Sequence, residues 1–347
     1  MLRSGTGGRA KAPILLSKPI KSRLTVNFPH EQFRRQLLAW YDRQARNLPW
    51  RETRDPYRVW LSEIMLQQTR VAAVIEHYHE FLRRFPTIEK LAAAREASVL
   101  AAWSGLGYYR RARMLHVAAK QIVREGKFPE TSTALRDLPG IGRYTAAAVA
   151  SIAFDEPVAV VDGNVERVLQ RLTGKRLAAE DCWKAATELL EVARPGDFNQ
   201  AVMELGAVVC TPRVPVCLTC PVIQWCATRG ELQREAKPSR QNKKEIHFVL
   251  HSREGRVLLV QRARDESLMP GMWELPEVEH SGVVSPVRDD MPLFTLRHAI
   301  TVTDYTVKAW RGDPAVRVAG KWIATDRLRH LPLTGLARKI LRKATIL

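Results

Sequence analysis

Four cysteines lie close together in the chain and form the group best suited to bind metal. Cys210, Cys217, Cys220 and Cys226 make a C-x6-C-x2-C-x5-C array within seventeen residues. Soft thiolates at this density in a reducing compartment indicate a metal centre with no position left open for substrate. The spacing alone fits either an all-cysteine zinc site or a [4Fe–4S] cluster. Cys182 stands apart and is expected to be a buried thiol. Disulfides are not expected, because the number of cysteines is odd, at five, and the chain shows no export signal.

Two acidic residues could perform acid–base chemistry. Glu63 lies among apolar neighbours in the segment WLSEIMLQQT. If this segment is a helix, the apolar surroundings would raise the pKa of the acid, so that it could hold a proton near neutrality. The alternative is an ordinary solvated face. Asp162, in VVDGNVERV, precedes a helix, and taken alone it is most simply a helix N-cap.

A glycine-rich turn separates two predicted helices in the segment LPGIGRYTA. Gly140 and Gly142 allow close backbone approach, and the free N–H groups at the start of the second helix favour an anion. In a basic protein that anion could be a DNA phosphate. A lone G-x-G between helices is weak evidence, because most such turns are only turns.

The net charge points to a polyanionic partner. The 347 residues carry a formal charge of +19, and 46% of them are hydrophobic. Nucleic acid is the partner we expect, since no apolar run approaches the ~18 residues that span a bilayer and no basic amphipathic helix indicates lipid. We expect a monomer in the cytoplasm, associated with the nucleoid, or in the nucleus or a mitochondrion if the source is eukaryotic.

The elements that must position these residues divide the chain into two domains. Residues 1–27 form a basic arm without acids, predicted to be disordered, and residues 28–233 have helical periodicity punctuated by prolines. Residues 234–245 are a polar linker. In residues 246–347, alternation at Ile246, Phe248 and Leu250, followed by a turn and a second apolar run, predicts a β-hairpin. A strand near Tyr305 and a short closing helix near Ile340 complete a small α+β domain.

The motifs together, in this order, resemble the MutY-type adenine DNA glycosylases of the helix-hairpin-helix superfamily, which also contains endonuclease III. They are LSEIMLQQT, GLGYYRRAR, LPGIGRYTA, VVDGNVERV and the cysteine spacing. The resemblance covers roughly residues 28 to 345. It implies an all-α helix-hairpin-helix glycosylase domain with a [4Fe–4S] cluster loop at residues 210–226, followed by a small α+β, Nudix-like domain.

The resemblance implies excision of adenine opposite 8-oxoguanine or guanine in duplex DNA, by flipping the nucleotide into a pocket. Glu63 would protonate adenine N7, and Asp162 would stabilise the oxocarbenium-like sugar. The remaining site residues are implied by matching motif positions. Tyr144 and Asn164 match positions that bond around the aspartate; Trp50, Arg51, Leu66 and Gln200 match the adenine pocket; Gln68 and Tyr108 match residues that wedge into the duplex; Gly140 and Gly142 match the phosphate-gripping hairpin.

One position separates reaction classes within the superfamily. Bifunctional relatives carry a lysine after G-x-G-R that attacks the sugar, whereas this chain has Tyr144. A monofunctional glycosylase with little or no lyase activity is therefore expected. Two alternatives remain: a bifunctional glycosylase-lyase acting on oxidised pyrimidines, and a DNA-binding protein that keeps the fold without catalysis. Tyr144 argues against the first, and the pair Glu63 and Asp162 argues against the second.

The C-terminal domain departs from the family where the lesion would be read. The family reads 8-oxoguanine through a Phe-Ser-His loop, and the best match here is Leu296-Arg297-His298. The histidine is kept, but leucine and arginine replace phenylalanine and serine. Arg297 and His298 are thus candidate DNA-binding residues, and the strength of the 8-oxoguanine preference is left open. A Nudix hydrolase activity is not expected, because the glutamate-dense helix that holds magnesium is missing.

Overall fold

The computed structural model describes residues 28–232, 242–266, 268–278, 291–300, 303–312 and 320–347. The predicted N-terminal arm (1–27) and most of the predicted linker lie outside these ranges. The last linker residues, 242–245, are part of a strand that begins at Asn242, so the linker ends earlier than predicted. Ladder hydrogen bonding explains the extension, since this polar segment pairs with a neighbouring strand over its whole length.

The first domain is helical, and its described residues contain no strand. Its eleven helices are α1 (His30–Gln44), α2 (Pro56–Leu66), α3 (Val71–Arg84), α4 (Ile88–Ala93), α5 (Glu96–Trp103), α6 (Arg110–Glu125), α7 (Ser132–Leu135), α8 (Arg143–Phe154), α9 (Gly163–Thr173), α10 (Ala179–Leu189) and α11 (Pro195–Val208). Val74, Tyr78 and Phe81 are buried along one face of α3, as their spacing predicted. Among the described residues, no helix combines the length and apolarity that crossing a bilayer requires.

The helical domain has two hydrophobic cores. The first collects α2 to α8 around Trp60, Phe81 and Trp103, and the second collects α1, α9, α10 and α11 around Phe33 and Leu37. Small residues of α8 allow α2 to pack closely against it. Met203 of α11 packs against both cores. A seam between the two cores therefore passes beside α2, α8 and the start of α9.

The turn between α7 and α8 requires glycine at one of its two positions. Gly140 has a φ of +79°, and a Cβ there would lie 2.4 Å from the Cβ of Met114 on α6. Gly142 is the N-cap of α8, with nothing within 4 Å of a Cβ and no side-chain cap. The N-cap residue therefore leaves the first N–H groups of α8 without a side-chain cap, as an anion site needs.

The described residues of the second domain form two small sheets, one α-helix and a short 3-10 helix at Thr325–His330. Its strands are β1 (Asn242–Leu250), β2 (Ser252–Arg253), β3 (Arg256–Gln261), β4 (Trp273–Glu274), β5 (Phe294–Ile300), β6 (Thr303–Arg311) and β7 (Lys321–Ala324), and its helix is α12 (Gly335–Lys343). One sheet has the order β1-β6-β5, and in the other β3 pairs with β2, β4 and β7. The predicted α+β class, the strand near Tyr305 and the closing helix are confirmed.

Two predictions for this domain are wrong in detail. The hairpin consists of β2 and β3 alone, because β1 turns away and pairs in parallel with β6. Leu296-Arg297-His298 lies within β5 rather than in a loop. Cross-strand pairing explains this, since Leu296 and His298 alternate with exposed neighbours and pair in register with Val307 and Tyr305 of β6.

The two domains meet at the loop that joins α5 to α6. The backbone carbonyl of Leu333 accepts hydrogen bonds from Ser104 Oγ (3.0 Å) and Tyr109 Oη (2.9 Å). Arg338 Nε donates to Ser104 Oγ at 3.0 Å. Beside these contacts, the domains enclose a cleft with a volume of about 940 Å³.

Candidate active site

Glu63 is a buried carboxylic acid at the seam between the two cores. It lies in the last two turns of α2, and only 6% of the residue is exposed. Burial raises its pKa from 4.5 to about 7, a hydrogen bond from Tyr144 opposes this rise, and the charge of Asp162 adds to it. The alternative of a solvated face is therefore wrong, and the acid can hold a proton near neutrality.

Tyr144 lies in the first turn of α8 and faces the acid. Its hydroxyl donates to Glu63 Oε2 at 2.6 Å and approaches Met203 Sδ at 3.5 Å. Burial, followed by the charges of Glu63 and Asp162, raises the pKa of Tyr144 well above its ordinary value. The residue is thus a neutral hydrogen-bond donor, and no amine occupies this position.

Asp162 is held at the start of α9 by three hydrogen bonds. Its Oδ1 accepts from the backbone N–H groups of Asn164 (2.9 Å) and Val165 (2.8 Å), and its Oδ2 accepts from Asn164 Nδ2 (2.9 Å). The N-cap interpretation is therefore confirmed. Capping does not exclude a chemical role. The negative charge of Asp162 contributes to the raised pKa values of both Glu63 and Tyr144, so the three groups interact.

Arg167, which no sequence motif singles out, links this aspartate to the cysteine loop. Its Nη2 donates to Asn164 Oδ1 at 2.7 Å and to the carbonyl of Gly206 at 2.6 Å. Its Nε donates to the carbonyl of Cys210 at 2.8 Å. One guanidinium thus orients the amide that bonds Asp162 and also fixes the first cysteine's backbone.

A second buried glutamate, Glu204 of α11, was also missed. It accepts from Arg46 (2.7 Å at each of its two oxygens) and from Arg51 Nη2 (2.8 Å). Burial raises its pKa, but the hydrogen bonds and charges of these arginines outweigh burial and hold the pKa at about 2. Arg51, expected in the adenine pocket, is thereby fixed beside Glu63, whose pKa its charge lowers.

The other three residues expected in the pocket have less distinctive surroundings. Trp50 is buried in the first core, edge-to-face with Tyr78 at 5.5 Å between ring centroids. Leu66 is half-buried against the same core, and Gln200 is half-buried on α11. Core packing is sufficient to explain Trp50 and Leu66, so their contact with a base stays a prediction.

Gln68 and Tyr108 lie on two loops that line the interdomain cleft. Both residues are exposed, Tyr108 by 47%, and both have left-handed backbone, with φ of 56° and 49°. Left-handed backbone at non-glycine residues costs energy and gathers at functional sites. Their placement fits a role in contacting a ligand within the cleft.

The cleft receives only one of the two residues predicted to read the lesion. His298 lines it, and burial followed by the charge of Lys339 lowers the histidine's pKa. Arg297 is exposed and is not among the residues that line the cleft. Leu296 is buried in the core of the second domain.

The four clustered cysteines are half-buried beside α9, and they lie close enough to interact electrostatically. Burial is the main cause that raises the pKa of Cys220 to about 11; a backbone hydrogen bond at Val222 opposes the rise, and the charges of Cys210, Cys226 and Cys217 add to it. Arg171 Nη1 donates to Cys210 Sγ at 3.2 Å, a contact that would stabilise a thiolate. Among the residues described, no group of three or more His, Cys, Asp or Glu side chains is arranged to hold a single metal ion.

The fold and site define a class of protein. The chain belongs to the HhH-GPD superfamily of base excision DNA repair proteins, whose family model matches residues 61–191. A solved thermostable thymine-DNA glycosylase superposes with a TM-score of 0.54 at 30% identity, covering 58% of this chain and 96% of that one. An endonuclease III–DNA complex, at 23% identity and a TM-score of 0.50, has the same fold over 58% of this chain and 97% of that one.

Within the superfamily, the chain is similar to adenine DNA glycosylases. The Mus musculus adenine DNA glycosylase is 48% identical over 219 residues, which are 58% of this chain and 42% of the mouse protein. The Arabidopsis thaliana adenine DNA glycosylase is 40% identical over 365 aligned residues, 89% of this chain and 56% of the plant protein. The chain therefore spans about half the length of these relatives.

Proposed function

We propose that this chain is a monofunctional adenine DNA glycosylase acting on adenine paired with 8-oxoguanine or guanine in duplex DNA. The observation that carries the proposal is a buried Glu63 with a pKa of about 7 next to the charge of a hydrogen-bonded Asp162. Two carboxyl groups with opposed protonation are what acid-assisted cleavage of a glycosidic bond requires. The similarity to adenine DNA glycosylases supports adenine as the base.

Glu63 would donate its proton to N7 of the flipped adenine, so that the base leaves as a neutral molecule. The electrons of the N-glycosidic bond go to the base, and the sugar is left as an oxocarbenium-like cation. Asp162, anchored by the backbone N–H groups of Asn164 and Val165, would stabilise that cation. Water would then add to the sugar and lose a proton, which restores the acid form of Glu63, and the product is an abasic site in an intact strand.

Tyr144 supports the monofunctional assignment. Strand cleavage by a Schiff base needs an amine next to the sugar. A neutral hydroxyl bonded to Glu63 stands at the corresponding position here. We therefore propose that wild-type protein forms little covalent complex with DNA under borohydride.

We further propose that Cys210, Cys217, Cys220 and Cys226 hold a [4Fe–4S] cluster. The four thiols are soft donors that interact electrostatically, and Arg171 donates a hydrogen bond to the sulfur of Cys210. Both observations fit a cluster bound by thiolates. When bound, the cluster would supply structural support, with no role in bond cleavage. Zinc is the competing occupant, and metal analysis separates the two.

Single-turnover excision tests the proposed activity. Duplexes with A:8-oxoG, A:G, A:C, A:T and T:G pairs are incubated with excess protein and read with and without alkaline strand cleavage. We expect excision of adenine opposite 8-oxoguanine and guanine, visible only after alkali. Excision of thymine, or cleavage without alkali, would contradict the assignment. Glu63→Gln and Asp162→Asn should each reduce excision by at least about a hundredfold, the usual worth of a positioned acid or charge.

A further inference from the structure

Arg111, near the start of α6, is bonded almost entirely to backbone carbonyls. Its Nη1 donates to the carbonyls of Ile64 (2.8 Å) and Met65 (3.2 Å), and also to that of Gln67. Its Nη2 donates to the carbonyls of Leu106 and Gly107, each at 3.2 Å, and to Thr69 Oγ1 at 3.3 Å. The guanidinium thus connects the last turn of α2 and the loop after it to the α5–α6 loop.

This arrangement excludes the phosphate contact that a surface arginine next to Tyr108 would suggest. Both terminal nitrogens are occupied, and Nε is buried without a hydrogen-bond partner. The guanidinium lies 5.5 Å from the ring centroids of Trp103 and Tyr108. Burial lowers the pKa of Arg111 to about 10, so the group is still charged at neutral pH. Backbone dipoles and aromatic faces, rather than a carboxylate, stabilise that charge in the part of the chain described.

The bonded carbonyls lie directly before the two left-handed residues of the cleft. Gln67 precedes Gln68, and Gly107 precedes Tyr108. A non-glycine residue in this conformation persists only when its surroundings fix it. Each of the two loops therefore owes its shape partly to the same planar group.

We infer that Arg111 is a positioning residue that holds Gln68 and Tyr108 at a fixed separation for insertion into the duplex. The inference rests on the proposed function, because insertion matters only if a base is flipped. Intercalating side chains offset the cost of unstacking, so a change in their spacing raises that cost. Lysine cannot replace arginine here, since a point charge with three donors cannot bridge two loops in one plane.

A coupling measurement tests this role. Arg111→Lys is made in the wild-type chain and in a Gln68→Ala/Tyr108→Ala background, and single-turnover excision of A:G is compared. We expect a loss of about tenfold or more in the wild-type chain and less than about threefold in the background without the two side chains, because residues that act together are not additive. Equal losses in both backgrounds would overturn the inference, since they would show a general structural effect.

Amide hydrogen exchange of the free protein gives a second readout that does not depend on activity. Arg111→Lys should accelerate exchange in both loops, at residues 66–69 and 105–109, whereas Arg124→Lys at the exposed end of α6 should change neither. Unchanged exchange in either loop would refute the inference. If the wild type excises no adenine while both loops respond to Arg111→Lys, the proposed function fails and the bridging of the loops stands.

If Arg111→Lys does not fold, Thr69→Val replaces it. This change removes one acceptor of the guanidinium and leaves the other five in place, and it also removes the hydrogen bond from Thr69 Oγ1 to the carbonyl of Gln67 at 3.2 Å. Exchange at residues 66–69 should then accelerate by a smaller factor, with residues 105–109 unaffected. No acceleration at residues 66–69 would contradict the inference.

Discussion

Replacing Glu63 by glutamine should change the pH dependence of folding stability as well as excision. The folded chain raises the pKa of this carboxyl from 4.5 to about 7, chiefly by burial. A group whose pKa is raised in the folded state contributes stability that is complete below the unfolded pKa and is lost as pH rises through the folded pKa. Wild-type stability should therefore fall between about pH 4.5 and about pH 7 relative to the glutamine variant.

The size of the effect follows from the shift. The difference between 4.5 and about 7 is about 2.5 pKa units, and each unit corresponds to about 1.4 kcal/mol. Most of the corresponding change in stability falls between pH 5 and pH 8. Over this range the free energy of unfolding of Glu63→Gln should therefore increase relative to that of wild type by about 2 to 3 kcal/mol. Comparison with the variant cancels the titration of groups that the two proteins share.

Urea unfolding at several pH values measures this difference directly. Glu204→Gln is the matched control, because Glu204 is also buried but its pKa is held at about 2 by Arg46 and Arg51. Relative to wild type, Glu204→Gln should be less stable at neutral pH, whereas Glu63→Gln should become more stable as pH rises. A difference between wild type and Glu63→Gln that stays constant with pH would refute the view that Glu63 is protonated near neutrality because of burial.

Three further predictions concern the neighbouring groups. Tyr144→Phe removes the hydrogen bond that lowers the pKa of Glu63, so the alkaline fall of the pH–rate profile for excision should move to higher pH, and an unmoved profile would speak against the contact. His298→Ala should lower the ratio of A:8-oxoG to A:G excision rates, whereas Arg297→Ala, on the outer face of β5, should leave it within about twofold, since a lost base contact is worth about 1 kcal/mol or more. Protein purified anaerobically should contain about four irons per chain and lose them in Cys217→Ser, and stoichiometric zinc would overturn the cluster.

Much of the candidate site could be predicted because its signals are local. An acid among apolar residues at helical spacing predicts a buried carboxyl, and Glu63 is one. The same rule applied to Glu204, between Met203 and Leu205 on α11, would have found the second buried glutamate. Arg111 carries no such signal, because an arginine that bonds carbonyls has the same sequence context as one exposed on a basic helix face, like its neighbour Arg110.

The errors in the second domain come from pairing between distant segments. The parallel pairing of β1 with β6 joins Asn242 to Thr303, and nothing in either segment specifies its partner. The position of Leu296 in the core has a local sequence signal. Phe294, Leu296 and His298 alternate with more exposed neighbours, which is typical of a strand, whereas the resemblance to the family motif favours a loop.

The carbonyl of Leu333 limits how the chain can be shortened. Ser104 and Tyr109 are buried in the helical domain, yet both hydroxyls find their acceptor in the second domain. A fragment ending before β1 would leave them without it, at a cost of about 1 to 3 kcal/mol for each hydroxyl that water does not reach. These groups flank Tyr108 in the same loop, so a shortened chain would differ from the intact one in the loop that carries Tyr108 as well as in the domain that it has lost. Fragment assays of mispair preference therefore confound the two domains, and point substitutions in the full chain separate them.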